Sequence, residues 1–380
     1  MHIKERLRQL KRKNLFREFR TITSSCSSTV TYRGKEHIML ASNNYFGLNT
    51  HPKVIAAAKK AIGKYGTGNA ASRLVVNLDL HEKLEKELAK YKKCEASLVY
   101  SSGFAANLGI ISSIVGNGDV ILSDELNHAS IIDGCRLSRA EIVTYKHCDT
   151  RDLELRLSKI KKNKKRKILV VTDSVFSMHG DLAPIEKIIN LKKKRQFLLM
   201  ADDAHATGIL DTNFDGVDLH MGTLSKALGS EGGFVAASRE IIDYLRNTSR
   251  PFMYSTGLSP SSTGAALAAL EIIRNGGALK KALLSNAQYL RNGLKKAGFS
   301  AGGELQIIPV FIGDNKKAMA FQKLLEEDKI FVTGIRPPTV PKAMLRVSVS
   351  AAHSKRQLDK ALKAFKKIGI KLNLLPRARK

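Results

Sequence analysis

Residues 199–208 read LMADDAHATG, and residues 221–229 read MGTLSKALG. In the first stretch an apolar run ends in Asp202, and His205 follows three positions later. An acid at the end of an apolar strand is costly unless it has a partner. In the second stretch Lys226 lies among small residues and is followed by a glycine. A lysine with its head in solvent is the ordinary interpretation of such a residue, so its context has to decide its role.

Both stretches belong to a chain in which short apolar strands alternate with helical segments. The clearest predicted strands are Ser97–Tyr100, Asp119–Leu122, Lys167–Thr172 and Phe197–Ala201, and the clearest predicted helices are Pro52–Tyr65 and Leu80–Tyr91. Buried strands that alternate with helices are typical of α/β proteins with a mostly parallel central sheet. In such sheets the catalytic groups lie at the carboxyl ends of the strands, which is where the sequence places Asp202.

The pattern changes near residue 270, and we predict three parts: residues 1–45, 46–270 and 271–380. The middle part is the large domain that holds the sheet. The last part is predicted to be a smaller α+β domain on which the first part packs. Its predicted elements are helices within 261–298, strands Ile307–Ile312 and Leu345–Ser350, a helix Lys316–Glu327 and a closing helix from Lys355.

The first 20 or so residues are predicted to form a basic amphipathic helix. Apolar side chains recur there at near-helical spacing, at Leu7, Leu10, Leu15 and Phe19.

The chain is strongly basic, with 64 lysines and arginines, 34 acids and a net charge of +30 among 380 residues. Such a charge attracts polyanions, so a basic nucleic-acid-binding protein is one hypothesis. No zinc finger, RNA-binding signature or basic patch with interleaved aromatic residues is present in the sequence, which makes this the remote alternative. The lysine-rich run at 161–167 is predicted to be a solvated loop.

Cysteine use and the lack of long apolar runs indicate a cytoplasmic protein. The four cysteines form no CxxC pair and no metal-ligand cluster, as expected of free thiols in a reducing compartment. The first residues are charged without an apolar signal core, and no run reaches the length of a transmembrane helix. We therefore expect neither a metal site nor a membrane contact.

The order of Asp202, His205 and Lys226 along the chain is typical of an enzyme that uses pyridoxal phosphate. Lys226 would bond covalently to the aldehyde of the cofactor, and Asp202 would keep the pyridine nitrogen protonated. His205 would then reach the phenolic oxygen of the ring.

Turns earlier in the chain offer the remaining parts of such a site. Residues 101–107, SSGFAAN, follow a strand and open a helix, and Gly103 allows close approach to backbone N–H groups that bind phosphate. His128 lies at another strand exit, where an imidazole can stack on the ring. Residues 172–181, TDSVFSMHGD, end a third strand with hydroxyl groups. Each feature alone has an ordinary structural explanation, and only their common order is specific.

This order resembles the α-oxoamine synthase family of fold-type I pyridoxal phosphate transferases, from about Leu15 to His353. Members of that family condense an amino acid with an acyl thioester and release the carboxylate as carbon dioxide. The resemblance implies catalytic roles for Lys226, His128 and Asp202. It implies cofactor contacts for Gly103, Phe104, Ser177, His205, Thr223, Ser255 and Thr256, the last two from the partner subunit of a homodimer. It implies substrate contacts for Arg17, Asn43, Thr339 and Arg346, with the amino-acid carboxylate assigned to Arg346.

The resemblance is strongest to one group within the family. The residues that indicate this are 335–341, IRPPTVP, together with Leu345–Val347 and Ser350–His353. They are similar to members that join L-alanine to a pimeloyl thioester in biotin synthesis. The carrier of the acyl group is left open between coenzyme A and an acyl carrier protein, because a positive net charge favours either anionic carrier. Glycine with acetyl-CoA is the alternative pair of substrates.

Overall fold

The computed structural model describes residues 2–13, 15–161 and 165–376. Part of the predicted loop at 161–167, residues 162–164, lies outside the described residues. The chain divides into two compact units. The large unit is Leu48–Ser177 with Asp181–Gly277, and the small unit is Met1–Gly47 with Met178–Gly180 and Ala278–Lys380. The division into three domains at residues 45 and 270 stays a prediction.

The helices of the described residues are α1 Ile3–Arg12, α2 Pro52–Tyr65, α3 Asp79–Lys92, α4 Gly103–Ile114, α5 Ala129–Ser138, α6 Thr150–Lys159, α7 Ile185–Lys194, α8 Arg239–Thr248, α9 Arg250–Met253, α10 Pro260–Arg274, α11 Gly277–Lys296, α12 Asn315–Glu327 and α13 Lys355–Lys371. The strands are β1 Thr29–Tyr32, β2 Lys35–Met39, β3 Ala96–Tyr100, β4 Val120–Asp124, β5 Glu141–Tyr145, β6 Ile168–Asp173, β7 Leu198–Asp202, β8 Leu219–Thr223, β9 Gly233–Ala237, β10 Ile307–Gly313, β11 Ile330–Phe331, β12 Thr333–Ile335 and β13 Ala343–Ser348. No helix in the described ranges has the length and apolar character that crossing a membrane requires.

The large unit is built on a seven-stranded sheet in the order β3-β9-β8-β7-β6-β4-β5. Strand β9 is antiparallel to both of its neighbours, and the other six strands run parallel to one another. The prediction of an α/β fold with a mostly parallel central sheet is therefore confirmed. Six strand ends lie at one edge of the sheet, which positions the site described below.

Both faces of this sheet are buried, as the alternation along its central strands shows. In β6, Leu169 and Val171 pack into one apolar cluster and Val170 into another. The first cluster includes residues of α4, α5 and α8, and the second includes residues of α6 and α7. A parallel sheet covered by helices on both faces needs such continuously apolar strands, which explains why β3, β4, β6 and β7 could be predicted from the sequence.

The small unit has two three-stranded sheets, β1-β2-β11 and β10-β13-β12. The N-terminal strands join it because β11 pairs in parallel with β2. Its apolar core draws on α11, α12 and α13, with Phe299, Phe321 and Phe365 in mutual contact.

The N-terminal helix is shorter than predicted, since α1 ends at Arg12 rather than near residue 20. No residue of α1 is buried, so packing does not extend it. The backbone N–H groups of Leu15 and Phe16 both donate hydrogen bonds to the carbonyl of Leu10. Further on, the Arg20 guanidinium donates to Glu326 and to the carbonyl of Val332, which ties this segment to the C-terminal part of the small unit.

Strand β8 was not predicted, although it lies near the middle of the sheet. Its sequence, LHMGT, contains a histidine and a glycine and lacks the apolar run of its neighbours. The glycine is required by packing, because a Cβ on Gly222 would come within 2.5 Å of ring atoms of Phe234 on β9. Strands β5 and β9 were also missed.

Candidate active site

The predicted site residues of the large unit follow strand ends at one edge of the sheet. Gly103 follows β3, His128 follows β4, Asp202 is the last residue of β7, and Lys226 follows β8. Strand β6 adds Asp173, which lies beside Asp202 in the register of the two strands. Residues far apart in the sequence thus meet because parallel strands end together.

Asp202 is 2% exposed, and both of its carboxylate oxygens accept hydrogen bonds. Asn107, on α4, donates its side-chain N–H to Oδ2 at 2.8 Å. The backbone N–H of Ala204 donates to Oδ1 at 2.8 Å. The other Asn107 N–H reaches Ser130 Oγ at 2.9 Å, so the amide that orients Asp202 is itself fixed. Each carboxylate oxygen can still accept a further hydrogen bond.

His128 caps α5 and is held by two contacts. Its backbone N–H donates to Asp173 Oδ2 at 2.8 Å, and its Nδ1 lies 2.7 Å from Ser130 Oγ. Burial lowers the pKa of the His128 imidazole, Asp202 opposes that shift, and the positive Lys226 adds to it. The ring is therefore neutral at pH 7 and suited to stack on a cofactor ring.

Asp173, the neighbour of Asp202 at this edge, lies in the electrostatic field of Lys226. Burial raises the pKa of Asp173 well above its ordinary value, and the charge of Asp202 raises it further, while Lys226 lowers it. Asp173 was not predicted as a site residue. The signal that could have found it is the one that identified Asp202, an acid that ends an apolar strand.

The start of α4 fits a phosphate group. Ser102 caps the helix by accepting the N–H of Ala105 on Oγ and that of Ala106 on its carbonyl. A Cβ on Gly103 would stand 3.5 Å from Thr223 Oγ1 and would fill the space between the helix start and β8. An anion can be bound here by the first N–H groups of α4 and by the hydroxyl of Thr223 at the end of β8. The missing Cβ of Gly103 leaves space for it.

The other predicted cofactor residues lie in loops of the same unit. His205, 4% exposed, lies in the turn after β7, and Ser177 lies half-buried in the loop after β6. Ser255 is half-buried and Thr256 is exposed. Thr256 forms an isolated antiparallel bridge with Ser72, which ties its loop to the segment before α3. These donors, with the acid and the amine, fit pyridoxal phosphate.

A buried ion pair supports the turn that carries His205. Lys92, at the end of α3, donates to Asp203 Oδ2 at 2.7 Å and to Thr212 Oγ1 at 2.8 Å. Burial alone would raise the pKa of Asp203, but Lys92 and His220 outweigh it and lower the pKa to about 2. Sequence reasoning missed Lys92, because nothing distinguishes it from the many exposed lysines.

Replacing Lys92 with methionine is expected to destabilise the large unit by about 3–5 kcal/mol, because Asp203 would remain buried without its cation. Thermal or urea unfolding measures this. Neighbouring Lys93 is exposed, so Lys93→Met is the matched control and should be neutral. Adding Asp203→Asn to Lys92→Met should restore part of the loss. Equal unfolding midpoints for the two methionine variants would contradict the assignment.

The predicted substrate residues form two pairs within the small unit. Arg346 is 7% exposed and donates to Asn43 Oδ1 at 3.1 Å and to Ser348 Oγ at 2.8 Å. Arg17 is exposed and donates to Thr339 Oγ1 at 3.1 Å. Arg17–Thr339 and Arg346–Asn43 both join the N-terminal segment to residues 339–346 of the small unit, and the substrate roles of these four residues stay predictions.

Comparison with known proteins agrees with this arrangement. The family model for class I and II aminotransferases matches residues 35–365. The 8-amino-7-oxononanoate synthase of Thermoanaerobacter pseudethanolicus is 46% identical over 387 residues, covering 98% of each chain. That of Geobacter sulfurreducens is 45% identical and covers 97% of this chain and 98% of its own.

Solved structures are similar over most of the chain. A lysine-to-alanine variant of serine palmitoyltransferase from S. paucimobilis, solved with a bound pyridoxal phosphate–myriocin aldimine, has a TM-score of 0.92 at 31% identity, and the match covers 98% of both chains. The 8-amino-7-oxononanoate synthase of Francisella tularensis has a TM-score of 0.77 at 27% identity, covering 89% of this chain and 99% of its own. These likenesses support an enzyme rather than the nucleic-acid-binding alternative.

Proposed function

The chain belongs to the family of class I and II aminotransferases, and we propose that it joins L-alanine to a pimeloyl thioester at Lys226. It is an acyltransferase that uses pyridoxal phosphate and forms 8-amino-7-oxononanoate in biotin biosynthesis, and the curated relatives that match nearly its whole length are 8-amino-7-oxononanoate synthases. The prediction of an α-oxoamine synthase is thereby confirmed. The roles of individual residues and the identity of the acyl donor are proposals.

The assignment of the site rests on one observation. Lys226, Asp202, Asp173 and His128 lie together at one edge of the sheet. When bound, the cofactor supplies an electron-accepting ring that stabilises negative charge on the amino-acid Cα. Asp202 holds a proton on the ring nitrogen by charge and hydrogen bonding. Lys226 anchors the cofactor through its amine and, once free, takes the Cα proton of alanine.

Neutral His128 stacks on one side of the ring without adding charge to it. Gly103, Phe104 and Thr223 would hold the phosphate, Ser177 would contact the cofactor, and His205 would reach its phenolic oxygen. Arg346 binds the alanine carboxylate, since its guanidinium is fixed in place by Asn43 and Ser348 and a planar guanidinium suits carboxylate binding.

The acyl donor is proposed to bind in a groove of the small unit. The groove has a volume of about 880 Å³ and is lined by Arg17, Arg336 and Thr339 with Phe16 and Met319. Burial lowers the pKa of Arg336, and the neighbouring Arg17 lowers it further. Two guanidinium groups this close favour an anion between them, which suits a dicarboxylic acyl chain or an anionic carrier.

A homodimer is proposed because an exposed apolar segment lies beside Ser255 and Thr256. Leu74, Val75 and Tyr254 are 52%, 77% and 70% exposed. Contiguous exposed apolar side chains of this kind mark an association surface. A second subunit placed there would bring the Ser255–Thr256 pair to the phosphate of its partner, as in the related family.

We propose the cytoplasm as the location of the protein. Cys26, Cys94, Cys135 and Cys148 are all free thiols in the structure, which suits a reducing compartment.

Product analysis tests the proposed substrates. Purified enzyme given L-alanine with pimeloyl-CoA or with a pimeloyl acyl carrier protein is expected to yield the mass of 8-amino-7-oxononanoate. Glycine with acetyl-CoA should yield at most about one hundredth of that rate, because a missing methyl group and a missing ω-carboxylate each remove binding energy. Faster formation of 2-amino-3-ketobutyrate would transfer the assignment to the alternative substrates.

A further inference from the structure

Beside the site, at the outer strands of the same sheet, a second cluster of polar side chains surrounds His147. The residue follows β5 and its side chain is 21% exposed. Nδ1 lies 3.0 Å from Asp124 Oδ1, at the end of β4, and Nε2 lies 3.1 Å from Asp181 Oδ2. The backbone N–H of His147 donates to Glu125 at 2.9 Å, and that of Cys148 donates to Asp124 Oδ2 at 2.8 Å. None of these residues was predicted to matter.

Asp124, His147 and Cys148 lie close enough together to suggest a metal site. Their geometry favours a proton instead. Each imidazole nitrogen faces a carboxylate oxygen at hydrogen-bond distance, whereas the Cys148 sulfur lies about equally far from both nitrogens, at 3.7 and 3.6 Å. A sulfur so placed is not aligned with the lone pair of either nitrogen, along which a metal would bind.

A doubly hydrogen-bonded imidazole between two carboxylates is an imidazolium. Burial alone would lower the pKa of His147, but the hydrogen bonds to Asp124 and Asp181 outweigh it, with a contribution from Cys148, and raise the pKa to about 12. The ring therefore carries a positive charge throughout the physiological range and joins β4 to the segment after β6.

That segment is the 175–182 loop, which includes Ser177. Its base is closed by an isolated bridge between Val175 and Leu182 and by the Phe176 N–H, which donates to the Asp181 carbonyl at 3.0 Å. His147 contacts both sides of this base, because its ring edge also packs on Phe176 at a centroid distance of 4.4 Å. Ser177 directly follows Phe176, so its position depends on this closure.

We propose that His147 is a positioning residue that bridges Asp124 and Asp181 and thereby holds Ser177 against the cofactor. The inference rests on the proposed function, since it needs a cofactor for Ser177 to contact. His147 itself touches neither cofactor nor substrate in this role. It acts by fixing the base of the 175–182 loop to a strand end that the rigid sheet already holds.

The test uses His147→Gln, Asp181→Asn and the double variant, with Glu125→Gln as a matched control. Glu125→Gln removes the same charge as Asp181→Asn, and Glu125 accepts the backbone N–H of His147 rather than a ring nitrogen. Pyridoxal phosphate is titrated into each apoprotein and its dissociation constant is measured by absorbance. Both single variants break the same Asp124–His147–Asp181 bridge, so each should weaken cofactor binding roughly three- to tenfold, an effect of about the size of one net hydrogen bond. The double variant should be no weaker than the worse single variant, and the control should match the wild type.

A second readout tests the charge of His147. A raised pKa contributes stability fully below the unfolded value of 6.5 and loses it as pH rises towards 12. The stability difference between the wild type and His147→Gln should therefore shrink from pH 6 to pH 9. Asp124, Asp181, Glu125 and Cys148 are present in both proteins, so their own titration largely cancels.

The outcomes separate this inference from the proposed function. Wild-type protein that binds no pyridoxal phosphate would overturn the function itself. Wild-type binding with unchanged dissociation constants in both single variants would overturn only the role of His147. Additive losses in the double variant would also overturn it, as would stoichiometric zinc in the wild type that Cys148→Ser removes.

Discussion

Lys226→Ala is expected to lower kcat by roughly 10³-fold or more and to abolish the visible absorbance of covalently held cofactor. Alanine offers no amine for the bond to the aldehyde and no base for the Cα proton, so both proposed tasks of Lys226 are lost together. Added amines of small size should restore part of the turnover but not the covalent attachment. Absorbance after gel filtration and single-turnover product formation measure the two effects separately.

Two further variants make the Lys226 result specific. Lys226→Arg keeps the positive charge beside Asp202 and Asp173 but cannot act as nucleophile or base at neutral pH. It should retain the fold and remain as inactive as the alanine variant. Lys60→Ala removes an exposed lysine of α2 and should leave turnover unchanged. Turnover by Lys226→Ala within tenfold of the wild type would remove Lys226 from the chemistry.

The parts of the site that the sequence predicted are those with a local signal. Asp202 ends an apolar strand and Gly103 opens a helix after a strand, so strand and turn patterns suffice to locate them. The parallel sheet then explains why Asp202 and Lys226 lie at the same edge, although they are 24 positions apart in the sequence. This much follows from elementary rules for α/β sheets.

The residues that were missed depend on partners distant in the sequence. Lys92 and Asp203 are 111 positions apart, and His147 and Asp181 are 34 apart. In a chain with 64 lysines and arginines, no local pattern distinguishes Lys92, which is buried, from the exposed lysines. His147 also lacks a local signal, because the strand before it does not end in an acid. Both carboxylates that contact its ring come from other segments of the chain. Such contacts follow from the packing of elements rather than from the pattern within one of them.

The second large effect is expected at Asp202, where Asp202→Asn should lower kcat by roughly 10²- to 10³-fold, or about 3–4 kcal/mol. An amide carries no charge to hold a proton on the ring nitrogen, so the ring loses most of its capacity to accept electrons. A purely structural interpretation, in which Asp202 only caps a strand end, predicts lost stability with kcat within about threefold. Both quantities therefore have to be measured on the same preparations, together with the dissociation constant of the cofactor.

Some loss of stability is expected in either case, and its size follows from the contacts. Both Asp202 oxygens accept hydrogen bonds, from Asn107 Nδ2 and from the Ala204 N–H. An asparagine at 202 can accept only one of them and must turn its own N–H₂ towards the other donor, which costs about 1–3 kcal/mol for a buried group.

Asp211→Asn is the control, because it removes the same charge from an exposed position nine residues further on and should change neither stability nor kcat. A fall in kcat that only matches the fraction of unfolded Asp202→Asn protein would identify Asp202 as a strand cap, whereas a fall in fully folded protein supports its role at the ring nitrogen.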